Sequence, residues 1–171
     1  MHFLLTIPFI VQGLAIVFDE YVFHRKRGLP RWERIGHPLD TLTVLTCLIF
    51  ILLVPFTATA FKIYVVLGLF SCIFVTKDEF IHKECCPASE QWLHSVLFIN
   101  HPVLLAAASL MWPFLHSNEP PYWLLRWFNE PGFFKLFLQV QTIFVAFFMF
   151  YQAIYWNFIW KEPKKTENDT I

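Results

Sequence analysis

Residues 18–37 read FDEYVFHRKRGLPRWERIGH, and residues 77–94 read KDEFIHKECCPASEQWLH. Both run Asp-Glu, then His, then Pro-x-x-Glu-x-x-x-His. Asp19, Glu20, His24, Pro30, Glu33 and His37 correspond to Asp78, Glu79, His82, Pro87, Glu90 and His94, with one residue dropped before the first His and one between it and the Pro. One Glu-His pair arises easily by chance, but four in this order point to an internal repeat.

Long apolar runs flank each polar stretch. Crossing about 30 Å of hydrocarbon takes roughly 20 apolar residues per helix, and five runs qualify: Phe3–Phe23, Leu39–Phe56, Ala60–His82, Glu90–Leu115 and Phe133–Trp160. They are continuous, whereas barrel strands would alternate over about ten residues. The reading is an all-α integral membrane protein. Two repeated helical hairpins, at 3–57 and 60–116, form a four-helix bundle within one domain spanning 1–160. A fifth helix covers 133–160, and a tail covers 161–171. The first run lacks a basic leader and a small-residue cleavage site before Asp19, so it is expected to remain in the mature protein.

Composition agrees. Apolar residues make up 57% of the 171-residue chain and charged residues 15%, against about 25% charged in ordinary globular domains. Twenty-one Phe and seven Trp exceed what a soluble core of this size hides. This excludes a disordered chain, a soluble nucleic-acid binder and a disulfide-stapled secreted module. Cys47 and Cys72 fall within spans, and the adjacent Cys85 and Cys86 read as reduced thiols.

Ten of the 13 basic residues follow spans one, three and five, and three (Lys62, Arg126, Lys135) lie on the other side. The positive-inside rule then predicts an outer N-terminus and a cytoplasmic C-terminal tail. Arg25 to Arg34 read as determinants of that orientation. Trp123, Trp127 and Phe128 fit an outer aromatic belt.

The net charge is zero, yet eight of the 13 acids and four of the seven His fall in or beside the two repeats. On helices, residues four apart share a face. Glu20 with His24, Glu33 with His37, Asp78 with His82 and Glu90 with His94 therefore form pairs, with Glu79 and His82 as an i, i+3 alternative. The expected metal ligands are Glu20, His24, Glu33, His37, Asp78, Glu79, His82, Glu90 and His94. Asp19, Asp40, His101 and Gln152 are candidates for extra ligands or for partners that orient the ligands. Ionisable groups at membrane depth usually face a functional site, and four clustered carboxylates call for balancing cations.

Two divalent ions supply that balance. The pattern resembles the ligand logic of helix-bundle di-iron carboxylate proteins, where Glu and Glu-x-x-His project inward from four helices, but uses i, i+4 spacing and more imidazole. Mixed His and carboxylate donors suit iron, with zinc or manganese as alternatives. No H-x-x-H-H box of the membrane desaturase kind occurs in the sequence.

The leading expectation is a dinuclear, O2-dependent oxidoreductase of hydroxylase or desaturase type. It would act on a membrane lipid or lipid-soluble substrate, draw on an electron donor, and carry its site near the cytoplasmic side. A zinc-dependent lipid hydrolase, a metal or proton transporter and a metal-stapled scaffold are the alternatives. Inverted repeats are the common transporter signature, whereas both hairpins here begin on the same side.

Overall fold

The computed structural model describes residues 2–79, 83, 86–116, 120–128 and 131–161. It is all-helical, and no strand occurs among the described residues. Five helices are long and apolar enough to cross a membrane: α1 (Phe3–Arg27), α2 (Arg31–Leu53), α3 (Ala58–Lys77), α4 (Ala88–His116) and α5 (Gly132–Ile159).

The helix ends follow from local chemistry. Pro30 and Pro87 both adopt extended backbone, with ψ of 157° and 154°. Their carbonyls accept the first helical N–H bonds, from Arg34 and Gln91. Pro87 and Pro30 thus sit immediately before α4 and α2, matching each other across the two polar stretches. The Thr57 hydroxyl accepts from Ala60 N at 3.1 Å and caps α3. α2 begins eight residues before the apolar run that announces it, because the polar turn starting at Arg31 continues directly into the span.

Two helices depart from α geometry. α1 widens into a π-helix over Asp19–His24, and α5 does the same over Tyr155–Ile159. Such stretches are rare and often mark functional sites. Within α2, Pro38 has no N–H to offer the carbonyl four residues back. That carbonyl, Arg34 O, accepts instead from Asn157 Nδ2 at 3.2 Å, which ties α2 to α5.

α2 is flanked by α5, its most extensive partner, and by α3; α1 packs mainly on α4, and α4 also touches α3 and α2. The half distant from the acid-histidine stretches is a dry core that includes Leu48, Ile51, Met111, Trp112, Phe134 and Leu138. Here Trp112 Nε1 donates to Val54 O, and His116 Nε2 donates to Ile51 O, both at 2.8 Å. His116 is thus a structural group, as its place far from the repeats suggests. In a bilayer such contacts act through packing and hydrogen bonds, since lipid is as apolar as the core.

Gly28 ends α1 with φ 74°, the left-handed region that favours glycine. A Cβ there would lie 2.6 Å from the Trp160 indole. Gly28→Ala is therefore expected to destabilise the protein by about 1 kcal/mol or more and to displace Trp160. Thermal unfolding in detergent, with the tryptophan emission maximum, reads both effects.

Candidate metal centre

The two polar stretches meet at one end of the helices. The π-turn over Asp19–His24 brings Asp19 to the Nε2 edge of the His24 ring, since i→i+5 bonding brings residues five apart close together. Asp19 Oδ2 lies 3.1 Å from His24 Nε2 and 3.2 Å from His94 Nε2. Glu90, one helical turn before His94, places Oε1 3.8 Å from His24 Nε2. Asp19, His24, Glu90 and His94 are all buried, and one donor atom from each lies within 4.8 Å of the others. Bonds of about 2.1 Å in a tetrahedron put ligand atoms roughly 3.4 Å apart. This group could hold a metal ion.

Three atoms of the group, Asp19 Oδ1, His24 Nε2 and Glu90 Oε2, are buried with no hydrogen-bond partner among the described residues. Buried polar atoms are nearly always satisfied. Their carboxylate and imidazole chemistry is compatible with a metal ion held by this group.

A second group, His24, Glu33 and His37, shares the His24 ring, which stacks on His37 with centroids 4.9 Å apart. Here an arginine intervenes. Arg27 donates through Nη1 and Nη2 to the two Glu33 oxygens at 3.2 and 2.8 Å, and through Nη2 to Glu90 Oε1 at 2.7 Å. One guanidinium thus bridges a carboxylate from each of the two polar stretches. Nothing in the sequence separates Arg27 from its basic neighbours, so it passes there for an orientation signal.

Glu20 takes a position behind His24. Its Oε2 lies 3.3 Å from His24 Nδ1, on the ring edge opposite the four-residue group. Tyr151 Oη donates to Glu20 Oε1 at 2.5 Å, and Trp156 Nε1 donates to both carboxylate oxygens at 3.1 and 3.3 Å. A carboxylate in that place fixes the tautomer and orientation of a ligating imidazole.

The remaining candidates form an outer ring. Asp40 Oδ1 accepts from Lys77 Nζ at 2.6 Å, and Asp40 Oδ2 lies 3.9 Å from His37 Nδ1. Gln152 is buried, and its Oε1 accepts from Thr41 Oγ1 at 2.7 Å. His101 Nε2 bonds to Ser71 Oγ at 2.9 Å, and Ser71 in turn bonds to Thr43 at 2.7 Å, so His101 belongs to a separate polar chain linking α2, α3 and α4. Glu79 is half-buried and contributes to the field on His94. The Asp78 side chain and His82 lie outside the described residues. Burial pushes the Cys86 thiol up to about 12, against the Arg27 charge, which lowers it, and with smaller upward pushes from Glu90 and Glu33.

A cavity of about 520 Å³ runs between α1, α2, α4 and α5, within the usual range of roughly 300–1,000 Å³ for ligand pockets. Its walls include Phe9, Ile16, Val44, Leu104, Phe144 and Phe148, and Asp19, His24, His37 and His94 line it at the polar end. Ile10, Leu14, Val17 and Phe144 line it while being themselves about half or more exposed, so it opens sideways between α1 and α5.

Comparison with known proteins gives no match: no family model, no curated protein and no solved structure is significantly similar to this chain.

Removing one partner from a buried charge pair commonly costs about 3 kcal/mol, because the other charge is left uncompensated. Arg27→Gln is therefore expected to lower metal-free stability by about that much. A divalent cation should recover part of it, by taking over the neutralisation of Glu90. Thermal unfolding with chelator and with added metal tests this; equal loss under both conditions would separate Arg27 from the metal site.

Proposed function

We propose that this chain is a membrane-embedded metal enzyme that oxidises a lipid-soluble substrate with O2, with iron as the metal. The observation that carries the reading is the apolar cavity lined at one end by Asp19, His24 and His94, with Glu90 completing the donor group. Two imidazoles and two carboxylates give the mixed nitrogen and oxygen set that suits iron and leaves positions open. A redox-active metal held there would supply the one-electron changes through which O2 attacks an unreactive carbon.

The protein's own contributions can be assigned. Asp19, His24, Glu90 and His94 hold the first ion. Glu20 keeps the His24 Nδ1 edge occupied, so that Nε2 faces the site. The cavity walls exclude water and align an acyl or similar chain with its reacting carbon at the polar end. A dinuclear centre needs a second ion, for which Glu33 and His37 are the available donors, with Arg27 swung away from Glu33. The pairing of α1 with α4 and of α2 with α3, together with the matched caps Pro30 and Pro87, supports reading the two hairpins as a pseudo-twofold pair. The surplus of basic residues at this end supports a cytoplasmic site.

Metal analysis by mass spectrometry on detergent-purified protein tests the proposal. Iron should be present, with an absorption change on exposure of the reduced protein to O2. Two irons per chain mean a dinuclear centre, and one means that Arg27 remains on Glu33. His94→Ala should lose the first ion, leaving at most the one held by Glu33 and His37. Bound zinc without a redox response would favour lipid hydrolysis, and folded protein with no metal would refute the proposal.

A further inference from the structure

Glu20 is held by the two aromatic donors Tyr151 and Trp156, and those two rings do not stop there. Tyr151 stacks on Tyr155 with centroids 5.2 Å apart, Tyr155 meets Trp156 edge to face at 5.2 Å, and Trp156 meets Trp160 at 5.5 Å. The series is unbroken along the last turns of α5, where the π-helix over Tyr155–Ile159 changes the register of the rings. Its inner members donate hydrogen bonds to a carboxylate that touches His24. Its outer member packs against Gly28 and under the Arg34 guanidinium, 4.4 Å from the ring.

We propose that Tyr151, Tyr155, Trp156 and Trp160 form a one-electron relay joining the Glu20–His24 edge of the metal centre to the end of α5. The chemistry of the members favours transport over packing. Phe fills space as well as Tyr or Trp, and this chain uses Phe 21 times. Only phenol and indole rings lose an electron at potentials an oxidising metal site reaches. A phenol also needs an acceptor for its O–H proton, which Glu20 supplies to Tyr151, whereas an oxidised indole can keep its N–H proton. Trp156 is 1% exposed, so an oxidised indole there is shielded from water and side reactions. Anchoring Glu20 would require two donors, but not a stacked continuation to Trp160.

Electrons and protons balance at each step. Tyr151 would give one electron to an oxidised metal site, and its Oη–H proton would move along the existing hydrogen bond to Glu20. The vacancy passes across the stacked Tyr155 ring to Trp156 and then to Trp160 as an indole radical cation, which keeps its N–H proton, and an external one-electron donor fills it. As the inner ring is reduced again, Glu20 returns the proton. Exposed Arg25, Lys26 and Arg31 give this end a basic surface, which steers an acidic electron carrier toward it.

The purpose of the relay rests on the proposed metal chemistry, but the relay can be tested without metal. A ruthenium polypyridyl photo-oxidant is attached to Lys161→Cys in metal-free protein, with the labelled parent chain as background. Flash oxidation should give a tyrosyl radical by electron paramagnetic resonance. Adding Trp156→Phe should lower its yield at least tenfold, while Trp92→Phe, exposed and off the path, should leave it unchanged. Trp160→Phe interrupts the same path and serves if the first variant does not fold. Equal yields in both path variants and the unmutated Lys161→Cys chain, or no tyrosyl radical above background, would overturn the relay. Metal content of the unlabelled chain is measured separately, so failure of the metal reading remains distinct from failure of the relay.

Discussion

One guanidinium holds the polar end of this molecule together. Arg27 leaves the end of α1 and binds Glu33 on α2 and Glu90 on α4, both with essentially no exposed surface. Without a cation between them, two carboxylates this close would repel strongly at low dielectric. The bridge therefore fixes the depth at which three helices meet. His24, His37 and His94 lie within one or two turns of its ends, so their shared level follows from it. At the far end neutral contacts play the same part, since Trp112 and His116 lock α4 to the end of α2 through carbonyl oxygens. The helices are pinned by charge at one end and by dry packing at the other.

Between those ends, geometry is exchanged for function. A π-turn weakens regular helix bonding, and both π-turns lie at the polar end. The first turns Asp19 toward His24 and His94, and the second carries Trp156 to Glu20. Both π-turns fall in segments that assemble the site, and the central lengths of α1 and α5 are ordinary α-helix.

The five spans are legible in the sequence because continuous apolar runs of that length suit little besides a bilayer, and their ends fall within a few residues of the expected ones except at α2. The pairs Glu90–His94 and Glu33–His37 are legible through i, i+4 spacing, which α4 and α2 obey. Asp19 looks secondary by the same rule, since on a regular α-helix it would lie about 140° around from His24. The widened turn removes that separation, and no residue pattern announces it. Glu20 reads as a ligand because it is four residues from His24, yet spacing cannot tell which ring nitrogen a carboxylate meets. Arg27 is hidden among five basic residues that all satisfy the orientation rule. Trp156 is hidden in a span where aromatic residues are commonplace.

The sideways opening of the cavity between α1 and α5 has a kinetic consequence. On the proposed reading, a lipid-soluble substrate entering there would never leave the hydrocarbon phase, so it would not shed and rebuild a hydration shell on the way in. Its encounter with the protein is diffusion in a plane, and the concentration that matters is its mole fraction in the surrounding lipid. Bulk molarity would then be a poor measure of saturation: diluting the bilayer with inert lipid would slow occupancy, whereas diluting the aqueous phase around the same membranes would not.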